Sequence, residues 1–207
     1  MKRIILILAI IFSVKSYSQD PAFTQSFMVP ETINPSFSGF YETTKAGLLY
    51  KNQQWSGFDF NLNSQYVYFD DWYPNLNSGI GVSLMNHQET FTNYSLKQLN
   101  LSWAYKVQIN YDWDFRPSVT FGFAAKDFGF DNLLFEDQIN IFQNIINSNS
   151  FDPIILGENA RYVDIGASFL FNNDNNWIGI TLRHLNRPNV SMVSQGDIPL
   201  DIFISVH

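Results

Sequence analysis

The stretch WIGITLRHLNRPN, residues 177–189, decides how the chain is read. Ile178, Ile180 and Leu182 fall at every second position, with Gly179, Thr181 and Arg183 between them. That is the period of a strand with one apolar face. His184 continues the apolar parity, and Arg187 and Pro188 follow it. In a catalytic strand His184 would be the general base. In line with three aliphatic side chains, it reads instead as a structural or interfacial imidazole where the strand leaves its apolar zone.

The same period extends along most of the chain. Ala46, Leu48 and Tyr50 share a face in AGLLYKN. In FDFNLNSQYVY, residues 58–68, the face expected to be apolar holds Phe58, Phe60, Leu62, Tyr66 and Tyr68, opposite Asp59, Asn61, Asn63 and Gln65. Ile80, Val82 and Leu84 then alternate with Gly79, Gly81 and Ser83. Leu99, Leu101, Trp103, Tyr105, Val107 and Ile109 alternate with Gln98, Asn100, Ser102, Ala104 and Lys106. Phe115, Val119, Phe121 and Phe123 oppose Arg116, Ser118, Thr120 and Gly122. Val163, Ile165, Ala167, Phe169 and Phe171 oppose Asp164, Gly166 and Ser168, and LDIFISVH supplies an eighth strand after residues 177–184.

Several of these strands are long enough to cross a hydrocarbon layer at a tilt, which takes about nine to eleven residues. The chain has 20 Phe, 10 Tyr and 5 Trp, residues that favour strands and gather at membrane interfaces. The expected fold is all-β: an antiparallel transmembrane β-barrel with about eight strands, either closing narrowly or forming part of a larger barrel. An exported soluble β-sandwich binding module alternates in the same way and is the alternative.

Residues 1–18 read as a signal peptide: Lys2 and Arg3, an apolar run from Ile4 to Val14, then Ser16-Tyr17-Ser18. Residues 19–44 hold three prolines and no period, an irregular N-terminal segment expected to tuck into or under the sheet. Residues 45–207 form the barrel domain, with a long insertion at 127–160. Within the insertion, Ile139, Phe142, Ile145 and Ile146 recur at helical spacing, so EDQINIFQNIIN is expected to form one short amphipathic helix.

The formal charge is -7, and cleavage near Gln19 would remove Lys2, Arg3 and Lys15 and leave a net charge of -10. Such a surface does not suit nucleic acid, whose phosphates need basic partners. Cysteine is absent, which excludes thiolate catalysis and Cys-bound metals. His87, His184 and His207 show no metal spacing, and Asp127, Asp131, Glu136 and Asp137 lack the rhythm of a calcium loop. No GxSxG and no phosphate-cradling glycine pattern occurs. Asp70-Asp71 and Asp112 with Asp114 read as a solvated rim beside Trp72 and Trp113 rather than a glycosidase pair. The chain is therefore expected not to be an enzyme, with no catalytic, cofactor-binding or metal-ligating residues and no cofactor.

Four stretches resemble the PorP/SprF outer-membrane proteins of the type IX secretion and gliding machinery of Bacteroidota. QDPAFTQSFMVPETINPSFSG at 19–39 carries Asp20, Pro21, Gln25, Asn34, Pro35 and Gly39. YKNQQWSG at 50–57 carries Tyr50, Asn52, Gln53 and Trp55, with Lys51 where the family has arginine and one extra Gln. GIGVSLMN carries Gly79 and Gly81. The last stretch carries Asp164, Gly166, Gly179, His184 and Pro188, with Ala167 in place of a family glycine. These positions match as structural ones. The resemblance implies a non-enzymatic outer-membrane component that helps export or anchor cargo such as large adhesins. Its implied partners are the outer membrane, other secretion-machinery proteins and cargo with a C-terminal sorting domain. Family members are longer and have more strands, so this chain is expected to be a shortened version.

Overall fold

The computed structural model describes residues 28–54, 61–129, 134–140, 145–147, 149–152, 159–192 and 196–207. The expected signal peptide, Asp20, Pro21, Gln25, Trp55, Phe58, Phe60 and Asp131 lie outside them.

The alternating stretches form strands β1 (Lys45–Gln54), β2 (Asn61–Tyr73), β3 (Ser78–Glu89), β4 (Ser95–Tyr105), β5 (Val107–Gln108) and β6 (Asp114–Asp127). After the insertion come β9 (Ala160–Asn172), β10 (Trp177–Arg183) and β11 (Phe203–Val206). All join one antiparallel sheet in the order β1-β2-β3-β4-β6-β9-β10-β11, with β5 beside β6.

The sheet does not close into a barrel, contrary to the sequence expectation. β1 pairs only with β2 and β11 only with β10, and no described strand joins the two edges. The physical reason is what lies on the polar face. An eight-stranded barrel has room inside only for its own side chains. Here the backbone of the N-terminal segment lies across that face, with its turn at Pro35–Phe37 packed on β4, β6 and β9.

The insertion also departs from expectation. Instead of an amphipathic helix its described residues show a 3-10 turn at Glu136–Gln138 and a short antiparallel pair, β7 (Ile139–Asn140) with β8 (Ile145–Ile146), while Phe142 lies outside the described residues. Ile139 sits opposite Ile146. An isolated helix this short is marginal, and its β-branched and Asn residues disfavour it further.

The register lines side chains into rows across the sheet. On one face Leu48, Val67, Leu84, Leu99, Phe123 and Val163 stand side by side. The next row holds Ala46, Phe69, Val82, Leu101, Phe121 and Ile165. This face is open: Phe121 is 56% exposed, Phe123 52% and Trp103 48%. A sandwich would shut these side chains against a second sheet; among the described residues none covers them. The apolar side chains of β9 run from Val163 to Phe171, roughly 26 Å at about 3.3 Å per residue. A polar row bounds them at one end, with Gln65, Asn86, Lys97 and Arg161 in register through Ala125. Tyr73, Tyr105 and Phe171 mark the other end, while Trp177 at that end turns to the covered face and packs edge-on against Phe37.

One face assignment differs from the alternation read in the sequence. Tyr66 and Tyr68 point to the covered face, and Val67 and Phe69 point outward. The run Tyr66–Phe69 is apolar throughout, so its parity is ambiguous. The phenols turn to the side where polar partners are available, as buried Tyr hydroxyls do.

Candidate functional site

The covered face is built from two adjacent rows of small or polar residues. Asp70, Gly81, Ser102, Thr120 and Gly166 form one, and Gly79, Ala104, Ser118, Ser168 and Thr181 form the other. Small side chains let a second backbone approach the sheet. The chain that approaches is the N-terminal segment, which turns twice on proline-led 3-10 turns at Pro30–Thr32 and Pro35–Phe37. Proline suits the first position of each turn because its φ is preset and it has no N–H to satisfy.

Asn34 organises the second turn. Its Oδ1 accepts from the Ser36 N–H at 2.9 Å, and its Nδ2 donates to the Phe169 carbonyl of β9 at 3.1 Å. Ser36 Oγ donates to Ser118 Oγ at 3.1 Å and lies 3.0 Å from Ser168 Oγ, closing a buried hydroxyl triad with a short Ser118–Ser168 contact. Ser38 Oγ meets Ser102 Oγ at 2.7 Å, and the Gly39 N–H donates to Asp70 Oδ2 at 2.7 Å. From the sheet, Arg116 donates to the Ser38 carbonyl at 3.1 Å, Thr181 to the Ile33 carbonyl at 3.0 Å and Arg183 to the Thr32 carbonyl at 2.6 Å. The Arg116 guanidinium also faces the rings of Phe40 and Trp72, 5.3 and 5.4 Å away.

These contacts tie side chain to backbone or side chain to side chain across β2, β4, β6, β9 and β10. They satisfy buried polar groups that would otherwise cost about 1–3 kcal/mol each. Toward the other end of the segment the contact becomes apolar, with Val29 packed against Tyr66, Met85, Leu96 and Ala124.

The motif residues fall around this segment to different degrees. Asn34, Pro35 and Gly39 are in it, and Gly39 adopts a left-handed φ of 64°. A Cβ on Gly79 would stand 2.0 Å from the Ser38 carbonyl oxygen, and one on Gly179 would stand 2.5 Å from Asn34 Nδ2. Gly81 and Gly166 belong to the small-residue row. Tyr50, Asn52 and Gln53 lie apart on the edge strand β1, where Tyr50 is exposed and its hydroxyl accepts from Asn63. Pro188 is buried in the connection after β10.

His184 is neither catalytic nor interfacial in its placement. A left-handed φ of 59° ends the alternation and turns the imidazole inward, where it is 1% exposed with Nδ1 3.0 Å from Asp164 Oδ1 on β9. His87 Nδ1 meets Ser64 Oγ at 2.7 Å, and His207 Nε2 meets Ser205 Oγ at 2.9 Å. Among the described residues no group of three or more His, Cys, Asp or Glu is placed to hold a metal ion. Asp137 is occupied within the insertion by Ser150 Oγ and the Phe151 N–H.

Sequence reading placed Asp70 on a solvated rim, whereas it is buried under Gly39, and it missed Ser36, Ser38, Arg116 and Arg183 as parts of the same network. Arg116 carried a usable signal, a charge inside a long strand. The serines of β4, β6 and β9 were visible as the polar parity, but not their shared partner. Glu31, in the first turn, is pushed up from 4.5 to about 7, chiefly by burial against the covered face.

The family comparison fits this geometry. The family model for type IX secretion system membrane protein PorP/SprF matches residues 15–206. The chain belongs to this family. It therefore has a type IX secretion-associated outer-membrane role, in a non-catalytic transport family. Neither a curated protein nor a solved structure matches the chain. Family membership also implies association with secretion-machinery components and cargo.

Proposed function

We propose that this PorP/SprF protein helps export or surface anchoring of cargo that carries a C-terminal sorting domain, such as large gliding adhesins. One observation supports the reading most: a continuous apolar face lies opposite a polar face already covered by the chain's own N-terminal segment. Such a sheet is suited to hydrocarbon on one side and to protein on the other. Among the described residues no strand pairs with the outer edges of β1 and β11, which points the same way. Unpaired backbone groups cost several kcal/mol each in lipid, so these edges meet protein in the membrane.

The connections are asymmetric. Residues 74–77 and 173–176 join strands by short turns at one end, and the insertion between β6 and β9 lies at the other. Outer-membrane sheets place short turns on the periplasmic side and long loops outside. The insertion is then the outward surface and the place where cargo preference resides. Co-purification of the tagged protein from native membranes tests the reading. Secretion components and a sorting-domain cargo are the expected co-purifying proteins, and recovery of neither would overturn the assigned role.

A further inference from the structure

Three carboxylate oxygens on the covered face lack a hydrogen-bond partner: Asp164 Oδ1, which has the His184 imidazole 3.0 Å away, and one oxygen each of Asp70 and Glu31. Asp70 is 2% exposed; its Oδ2 accepts from the Gly39 N–H, while its buried Oδ1 has no partner. Glu31 Oε2, from the first turn of the N-terminal segment, is buried in the same state. Both residues line one cavity of about 110 Å³ between the segment and the sheet. One buried water needs about 10–15 Å³ of such space, so the cavity holds several waters or an ion with part of its hydration shell.

Of the three nearby cations only Arg183 lines the cavity, and each is held by another group of the chain. Arg116 donates to the Ser38 carbonyl between two aromatic rings, Lys45 Nζ sits 3.0 Å over the Tyr41 ring, and Arg183 donates to the Thr32 carbonyl. The remaining polar lining includes the oxygens of Ser102, Thr120, Asn100 and Gln98, and Thr120 Oγ1 is also buried without a partner. No histidine or cysteine lines the cavity. Oxygen donors with two carboxylates select a hard cation over a soft one.

We propose that this cavity binds one divalent cation of the calcium class, with Asp70 and Glu31 as its charged ligands and neutral oxygens and water completing the shell. The ion joins β2 to the N-terminal segment and thereby fastens the segment to the sheet. Two carboxylates make a weak site, with dissociation constants of about 10⁻⁴–10⁻³ M, as in extracellular calcium modules.

Thermal unfolding of the purified full chain in detergent at pH 8, titrated with calcium chloride, tests the assignment. The melting temperature is expected to rise saturably, with a half-maximal effect in that concentration range. Asp70→Asn and Glu31→Gln are each expected to weaken the response by at least about tenfold. No calcium response in the unsubstituted chain overturns the proposal. So does an equal response in both variants, which would place binding elsewhere, or an equal response to sodium chloride at matched ionic strength, which would be screening. Should Asp70→Asn fail to fold, Glu31→Gln decides alone. Terbium luminescence sensitised by Tyr66 and Tyr68 and displaced by calcium is the second readout; its persistence in Glu31→Gln at unchanged affinity would also overturn the site.

Discussion

The two faces of the sheet are made by the same strands and obey opposite rules. On the open face, rows such as Leu48, Val67, Leu84, Leu99, Phe123 and Val163 are large, apolar and without a protein partner among the described residues. On the covered face, the rows through Ser102 and Ser118 are small or polar and hydrogen-bonded to a single segment. With hydrocarbon as its proposed partner, the open face should tolerate variation in shape but not in polarity, because a fluid apolar phase adapts to shape. The covered face tolerates little of either, because a fixed backbone lies against it.

Phe121→Arg attacks the open face at mid-strand and carries the largest expected effect, a loss of about 3 kcal/mol of stability in bilayers. Denaturant unfolding in lipid vesicles would measure it. Gln65→Arg, in the bounding polar row, serves as the control and is expected to cost about 1 kcal/mol or less. Equal costs at the two positions would mean that the open face does not meet hydrocarbon.

Gly79→Ala attacks the covered face through shape alone. The new methyl would stand 2.0 Å from the Ser38 carbonyl oxygen, so the segment must move, at about 2 kcal/mol. Protease cleavage within residues 28–44 is expected to accelerate while the strands stay intact. An unchanged cleavage rate would show that the segment does not rest where Ser38 is placed.

Asn34→Ala removes polarity instead of adding bulk. The Ser36 N–H and the Phe169 carbonyl each lose a partner, for an expected cost of about 1.5 kcal/mol. The same cleavage assay would read it, and Asn34→Asp should restore only the bond from Ser36.

The smallest effect is a pH dependence in calcium-free buffer. Because the folded Glu31 titrates at about 7 rather than 4.5, the folded state holds more protons than the unfolded chain between those values. Its contribution to stability is thus greatest below pH 4.5, falls as pH rises to 7 and is level above that. After allowance for solvent, about 1 kcal/mol should be lost across the window. Glu31→Gln should flatten this part of the profile; a slope unchanged in the variant would assign it to another group.

Alternation was enough to locate β3, β4, β6, β9 and β10 and to choose their outward side chains, because a period of two leaves a greasy side little freedom. It failed where its premise failed. In Tyr66–Phe69 every residue is apolar, and only the hydroxyls of the covered face settle which way the phenols turn. At His184 the left-handed backbone breaks the parity, a change that depends on Asp164 twenty residues earlier. In the insertion, helical spacing over a few residues was outweighed by the pairing of Ile139 with Ile146. The motif positions Asn34, Gly79 and Gly179 could be named from the sequence, but not the contact they share.

What the residues determined unaided was the period, the apolar belt, the acidic balance and the family, all of which are written locally along the chain. Tertiary structure alone decided that the sheet stays open and which groups of its polar face hold the N-terminal segment, whose tucking against the sheet was already expected. Both depend on groups more than a hundred residues apart, such as Asn34 with Phe169 and Thr32 with Arg183, whose bonds exist only once the strands have assembled in register.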